Sequence, residues 1–225
     1  MIKLETHVHS LGGSGCGHAS NDEILEEYKS LNYDAIVLTN HYCENCYNGY
    51  SGSTHKEKLD FYFSLVDTLT EKAKKVGIKI FWGAETRAVR KDWLYSEYMI
   101  YGLNRKFLYD NKPLFTLTQE EMFKTCDKNG FFMYQTHPFR QGVAVGNPLF
   151  LHGVEGYNGH FHHVNNNDKA IEFASKYNLK IMSGSDYHDY RQPIRGGIYI
   201  PDNIETNEQL VEYLFNNQPQ LIKGE

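Results

Sequence analysis

Lys3 to His9 reads Lys-Leu-Glu-Thr-His-Val-His. On a strand, successive side chains point to opposite faces, so His7 and His9 project the same way and can share one ion. A strand also carries such a pair for packing or solubility, so the pair gains weight only from ligand-type residues elsewhere in the chain. Short apolar runs repeatedly end in a residue with ligand chemistry: Ile36 to Leu38 before His41, Ile78 to Trp82 before Glu85, Phe131 to Tyr134 before His137, and Ile181 before Asp186 and His188. Several strands are therefore expected to converge on one metal-rich mouth. Mixed imidazole and carboxylate shells suit zinc, manganese or iron without choosing among them.

The elements that must position these groups alternate. Lys3 to His9 reads as a first strand and Asp34 to Asn40 as a second, followed by Ile78 to Ala84, Trp93 to Leu103, Phe131 to Gln135, Gly153 to Tyr157, Leu179 to Met182 and Gly196 to Ile200. Capping-box patterns at Ser20 with Glu23 and at Thr118 with Glu121 open helices over 21–31 and up to Lys128. Leu59, Phe63, Val66, Leu69 and Ala73 keep helical spacing until Gly77 stops it. Asp168 to Tyr177 and Asn207 to Phe215 complete the helices. Alternation of this kind implies a parallel sheet, and ligands at many strand ends favour a closed barrel over an open sheet. His41 to about Thr54 reads as a polar loop long enough to cover a pocket, and 218–225 as a tail.

The 225 residues carry 40% hydrophobic and 14% aromatic side chains, enough for one globular barrel domain spanning 1–225. A formal net charge of −5 argues against strong nonspecific attraction to nucleic-acid backbones. With no apolar run of spanning length and no signal-like start, a cytoplasmic protein with no membrane partner is expected. Four cysteines, Cys16, Cys43, Cys46 and Cys126, do not form the framework of a small secreted domain. Cys43 and Cys46 form one Cys-x-x-Cys, but the residues after Cys43 read as loop, and a thioredoxin-like pair needs a helix start. The glycine-rich run Gly12 to Gly17 lacks the Gly-Lys-Ser/Thr of a P-loop and reads as a flexible carrier for His18. His160, His162 and His163 sit in an Asn-rich stretch and read as a solvated loop, and His55 and His152 receive no role.

Taken together, His7-x-His9, Thr39-Asn40-His41, Gly83-Ala84-Glu85, His137-Pro138, Glu155 within Gly-Val-Glu-Gly-Tyr-Asn, and Ser185-Asp186-Tyr187-His188 resemble the PHP (polymerase and histidinol phosphatase) family over nearly the whole chain. The resemblance implies an α/β fold, a distorted seven-stranded (β/α)7 barrel with its metal site at the C-terminal ends of the strands. It implies two or three divalent transition metals: a first held by His7, His9, Glu85 and Asp186, a second bridged by Glu85 and bound by His137, and a third held by His18, His41 and His188. It further implies hydrolysis of a phosphate ester by a metal-activated hydroxide. Arg140 and His188 are the expected catalytic residues, Arg140 through a bidentate phosphate contact and His188 as a metal ligand, with Arg191 and Arg195 behind Arg140. Glu155 is expected to orient a ligand or to be a paired carboxylate at the rim.

The sequence departs from that pattern in three places. The second ion usually has another histidine between the Glu85 and His137 positions, and Tyr98 to Gly102 holds none. Asn40 stands where the family often has Asp, and His18 lies farther from His9 than the pattern expects. The substrate class that fits best is a small phosphorylated metabolite, histidinol-phosphate-like or a nucleotide monoester. A nuclease-type phosphodiesterase and a catalytically silent metal-binding module are the alternatives.

Overall fold

The computed structural model describes residues 1–90 and 94–224. Trp93, expected to begin a strand, and Glu225, at the end of the expected tail, lie outside the described residues.

Among the described residues nine strands form one sheet: β1 (Ile2–Val8), β2 (Ala35–Leu38), β3 (Lys79–Arg87), β4 (Glu97–Tyr101), β5 (Phe132–Gln135), β6 (Gly153–Asn158), β7 (Lys180–Gly184), β8 (Ile198–Ile200) and β9 (Gln220–Leu221). Their order is β7-β6-β5-β4-β3-β2-β1-β8-β9. The sheet nearly closes, because Val8 bridges Tyr187 just past β7 and Thr6 Oγ1 donates to the Ser183 carbonyl. This is a mixed α/β barrel-like sheet of nine strands rather than the seven expected. Beyond the seven that the resemblance implies, β8 is the strand expected at Gly196 to Ile200 and lies antiparallel on β1, and residues 220–221 of the expected tail pair with β8 as β9. The sheet is also not wholly parallel, since β4 runs antiparallel to both β3 and β5.

Seven α-helices flank the sheet among the described residues: α1 (Asn21–Ser30), α2 (Glu44–Gly49), α3 (His55–Val76), α4 (Arg105–Asp110), α5 (Gln119–Asn129), α6 (Asn167–Tyr177) and α7 (Asn207–Asn216). Ser20, Thr54, Thr118 and Thr206 each close a capping box, which satisfies amide hydrogens that would otherwise lack partners. α3 ends at Gly77 with φ 72°, a left-handed residue that suits glycine. Its Leu59, Phe63, Val66, Leu69 and Ala73 are buried as the spacing predicts, each large side chain contributing about 1.5–3 kcal/mol by leaving water. α2 was not expected: Glu44 to Gly49 is too short and polar to show a periodic face, and it occupies the middle of the expected loop.

A second apolar cluster joins Leu4, Val37, Phe81, Met99 and Phe132 with Leu210, Val211 and Leu214 of α7. Lys79, at the start of β3, bonds Ile204 and Glu205 next to α7. α7 therefore caps the end of the sheet away from Glu85, and the polar groups collect at the other end. No helix among the described residues is long and apolar enough to cross a membrane.

Candidate metal centre

β1 delivers His7 and His9 fully buried, with their Nε2 atoms 3.0 Å apart. A shift in register between Glu5 and Val8 accompanies this placement. Inside it, Glu5 Oε1 accepts the amide hydrogens of Thr6, His7 and Ser185, which ties β1 to the turn carrying Asp186. Asp186 Oδ1 then lies 3.3 Å from His7 Nε2 and 3.7 Å from His9 Nε2. Glu85, near the end of β3, places Oε1 3.5 Å from His7 Nε2 and Oε2 3.4 Å from His9 Nε2. The structure thus brings together the four side chains expected around the first ion.

Glu85 Oε1 is also 3.3 Å from His137 Nε2, and Thr136 Oγ1 donates to it at 2.7 Å. The next neighbour of His137 was missed in the sequence: Glu97 Oε2 lies 3.5 Å from the same Nε2. Glu97 also falls into a ligand-like group with His41 and Glu85. It is the first residue of β4, immediately before the stretch Tyr98 to Gly102 that lacks the expected histidine. Because β4 is antiparallel to β3, with Arg87 paired to Glu97, its beginning and not its end reaches the mouth.

His9, His41 and His188 form a further group whose nitrogen atoms lie within 4.8 Å of one another. The His9 ring stacks on both others, with centroids 4.4 Å and 4.3 Å away. His18 differs from the other expected ligands. Its amide hydrogen donates to the His188 carbonyl at 2.8 Å, and its exposed side chain lines the mouth without joining any ligand-like group among the described residues. Cys16 stands in the same loop with its Sγ 3.4 Å from His41 Nε2. Asn40 ties this loop to β2: its Oδ1 accepts the Ser10 amide hydrogen at 2.8 Å and its Nδ2 donates to Ser10 Oγ at 3.0 Å. A carboxylate could not donate the second of these bonds.

A surrounding layer fixes the donors. Glu155 Oε1 lies 2.8 Å from His7 Nδ1, and its Oε2 accepts the His137 amide hydrogen at 2.9 Å. Holding Nδ1 in this way turns Nε2 inward, as a partner outside the donor set commonly does for a metal-binding histidine. Arg140 Nη2 donates to Asp186 Oδ2 at 2.6 Å and to Asn158 Oδ1 at 3.0 Å, while its Nε donates to Asn165. His137 and Asp186 adopt φ of 32° and 52°, backbone conformations that cost about 1–3 kcal/mol each and persist where surrounding contacts impose them.

The charges reinforce one another. Burial alone would favour neutral carboxyls, but His7 and His41 hold Glu85 well below the ordinary carboxylate range, and His7 and Arg140 do the same for Asp186. Burial pushes His7 toward neutrality, yet Asp186, Glu155 and Glu85 outweigh it and raise its pKa well above the usual value. Burial, with His188 and His41 beside it, keeps His9 neutral by lowering its pKa well below that value. The centre therefore keeps its carboxylates ionised, as a cation site requires.

A cavity of about 320 Å³ opens over these groups, lined by Glu85, Glu97, His137, Asp186 and His188 together with Arg87 and Arg140. Arg191 and Arg195 do not line it; the Arg191 guanidinium instead lies 5.0 Å from the Tyr190 ring. Two members of the expected solvated loop, His160 and His163, do line it, and His160 comes within 5.6 Å of the His188 ring, centroid to centroid. Cys43 caps α2, so a helix does start directly after it, and a hydrogen bond with Cys46 lowers its thiol to about 6. The donor set fits borderline transition ions: imidazoles and carboxylates converge in a buried site, and the Nδ1 atoms of His9, His41 and His137 have no hydrogen-bond partner.

No family model matches the sequence, and no curated protein matches it. The likeness to known proteins lies in shape. A two-domain protein from Bacteroides vulgatus, containing a predicted PHP-like metal-dependent phosphoesterase, aligns with a TM-score of 0.66 at 22% identity, over 99% of this chain and 65% of that one. The chain thus spans less than two thirds of that protein. PsfC from Pseudomonas syringae aligns with a TM-score of 0.71 at 16% identity, over 99% of this chain and 91% of that one. The lesion-specific endonuclease PfuEndoQ from Pyrococcus furiosus aligns with a TM-score of 0.61 at 12% identity, covering 98% and 57% of the two chains. With its barrel-like sheet and its donors gathered at one mouth, the chain has the fold of the PHP-like metal-dependent phosphoesterases.

Proposed function

We propose that this protein is a metal-dependent phosphoesterase acting on a small phosphorylated metabolite, such as a histidinol-phosphate-like compound or a nucleotide monoester. The observation that carries the reading is Glu85, whose two carboxylate oxygens face His7, His9, His41 and His137 within 3.5 Å at the floor of the cavity. His7, His9, Glu85 and Asp186 would hold one ion and Glu85, His137 and Glu97 a second, with zinc, manganese and iron all compatible with the donors. When bound, such ions lower the pKa of water and offset charge on phosphoryl oxygens.

The chain's own residues set up the rest. Arg140 is held at the cavity wall by bonds from Nε to Asn165 and from Nη2 to Asn158 and Asp186, which leave Nη1 rather than the expected bidentate fork to meet a phosphate. Arg87, bound to Glu97 at 2.8 Å, supplies positive charge on another side. Glu155 keeps His7 in the orientation that directs Nε2 inward. The cavity volume lies near the lower end of the usual range for ligand pockets, about 300–1,000 Å³, which supports a small substrate.

A nuclease-type phosphodiesterase is the second reading, and the likeness to an endonuclease favours it. The net charge of −5 weighs against it. The test is hydrolysis of a panel of phosphate monoesters and of short oligonucleotides by protein reloaded with manganese, zinc or iron. Turnover of monoesters with intact oligonucleotides supports the leading reading, and cleavage of oligonucleotides alone overturns it.

A further inference from the structure

The loop after β1 puts a thiol among the outermost imidazoles. Cys16 Sγ lies 3.4 Å from His41 Nε2, and the same cavity is lined by His188. Zinc bonds of about 2.3 Å to sulfur and about 2.0–2.1 Å to nitrogen, at a tetrahedral angle, place the two donors of a shared ion about 3.5 Å apart. The observed separation therefore suits a shared ion as well as it suits a hydrogen bond. His41, against which the thiol rests, is buried with Nδ1 facing Glu85 Oε2 at 3.2 Å, which leaves Nε2 toward the thiol, and it belongs with His9 and His188 to a group able to hold an ion.

The sequence explains how the thiol gets there. A Cβ on Gly13 would stand 2.0 Å from Asn40 Cγ, and one on Gly17 would stand 2.7 Å from the Ser10 carbonyl oxygen. Only glycine lets the loop lie this low over β2. Cys16 and His18, two residues on, are both exposed at the rim, and Cys16 is the one whose side chain comes to rest against His41.

We propose that Cys16 is a thiolate ligand to an ion held by His41 and His188, in the place that the family resemblance gives to His18. A soft sulfur donor makes this outermost position favour zinc, whereas the Glu85, Glu97 and His137 position, rich in carboxylate, suits harder ions. Coordination releases the thiol proton to solvent. The proposal rests on the metal-centre reading above and adds to it the chemistry of one position.

Cobalt(II) added to the full chain after chelation tests it. Wild-type protein and His18→Ala are expected to show the near-ultraviolet sulfur-to-cobalt charge-transfer absorption, and Cys16→Ser is expected to lose it while still binding cobalt. Independently of any variant, zinc is expected to slow alkylation of Cys16 by iodoacetamide by about tenfold or more, read by peptide mass mapping. Bound cobalt without the absorption, absorption that survives in Cys16→Ser, or alkylation indifferent to zinc overturns the assignment of Cys16 and leaves the inner centre standing. Failure of the wild-type chain to bind cobalt at all overturns the metal centre itself and this proposal with it.

Discussion

Glu97 Oε2 lies 3.5 Å from His137 Nε2, and both side chains line the cavity that Glu85 floors. A carboxylate thus stands where the family resemblance calls for an imidazole, and under the proposed function it would supply the donor that a second ion needs. Glu97→Ala is expected to lower metal affinity at that position by on the order of 100-fold, taking one ion per chain from protein purified at limiting metal. Elemental analysis of the variant checks this; an unchanged metal content would remove Glu97 from the site.

Glu155 acts through His7. Replacing it by Gln keeps the shape and loses the charged partner 2.8 Å from Nδ1, which is expected to weaken metal binding by about 10- to 100-fold. Competition with a chromophoric chelator measures the change, and an unaltered affinity would reduce Glu155 to a paired carboxylate at the rim.

The inner donors were legible in the sequence because each ends an apolar run or repeats with the strand period. His7 and His9 follow from alternation, and Glu85, His137 and Asp186 follow from their place at or just past a strand. Glu97 escaped because that logic looks at C-terminal ends, and β4 runs the other way. Cys16 escaped because a glycine loop has no period, so nothing local says which of its side chains comes to rest against His41. α2 and β9 escaped for lack of length, since six and two residues fall short of any periodic signal. His160 and His163 sit in a stretch whose polarity reads as solvated, and only the tertiary fold brings both to the cavity and His160 beside His188.

Arg140 grips Asp186 and faces the cavity. Arg140→Lys keeps a charge but loses the Nε and Nη2 bonds that hold the guanidinium at the cavity wall and the Nη1 donor left for phosphate, so KM for a phosphate monoester is expected to rise about tenfold or more while the metal content stays within error. Loss of metal with unchanged KM would assign Arg140 to anchoring Asp186 alone.

The start of α3 carries a pH-dependent contribution to stability. Amide hydrogens of Ser53 and Thr54 donate to Glu57 and lower its pKa from 4.5 to about 2. A depressed carboxylate pKa stabilises the fold above the unfolded value and loses that contribution as pH falls through the folded one. Thermal unfolding of Glu57→Gln is therefore expected to differ from wild type near neutrality and to converge with it as pH drops toward about 2. A difference that stays constant over this interval would refute the assignment.

Whether these donors hold catalytic ions is tested most directly by metal content measured together with turnover. Protein purified without added metal is expected to contain two or three transition ions per chain. Its hydrolysis of an aryl phosphate is expected to stop on chelation and to return with manganese, zinc or iron. One ion or none, with no turnover after those metals are restored, would contradict a catalytic metal centre and leave a catalytically silent barrel.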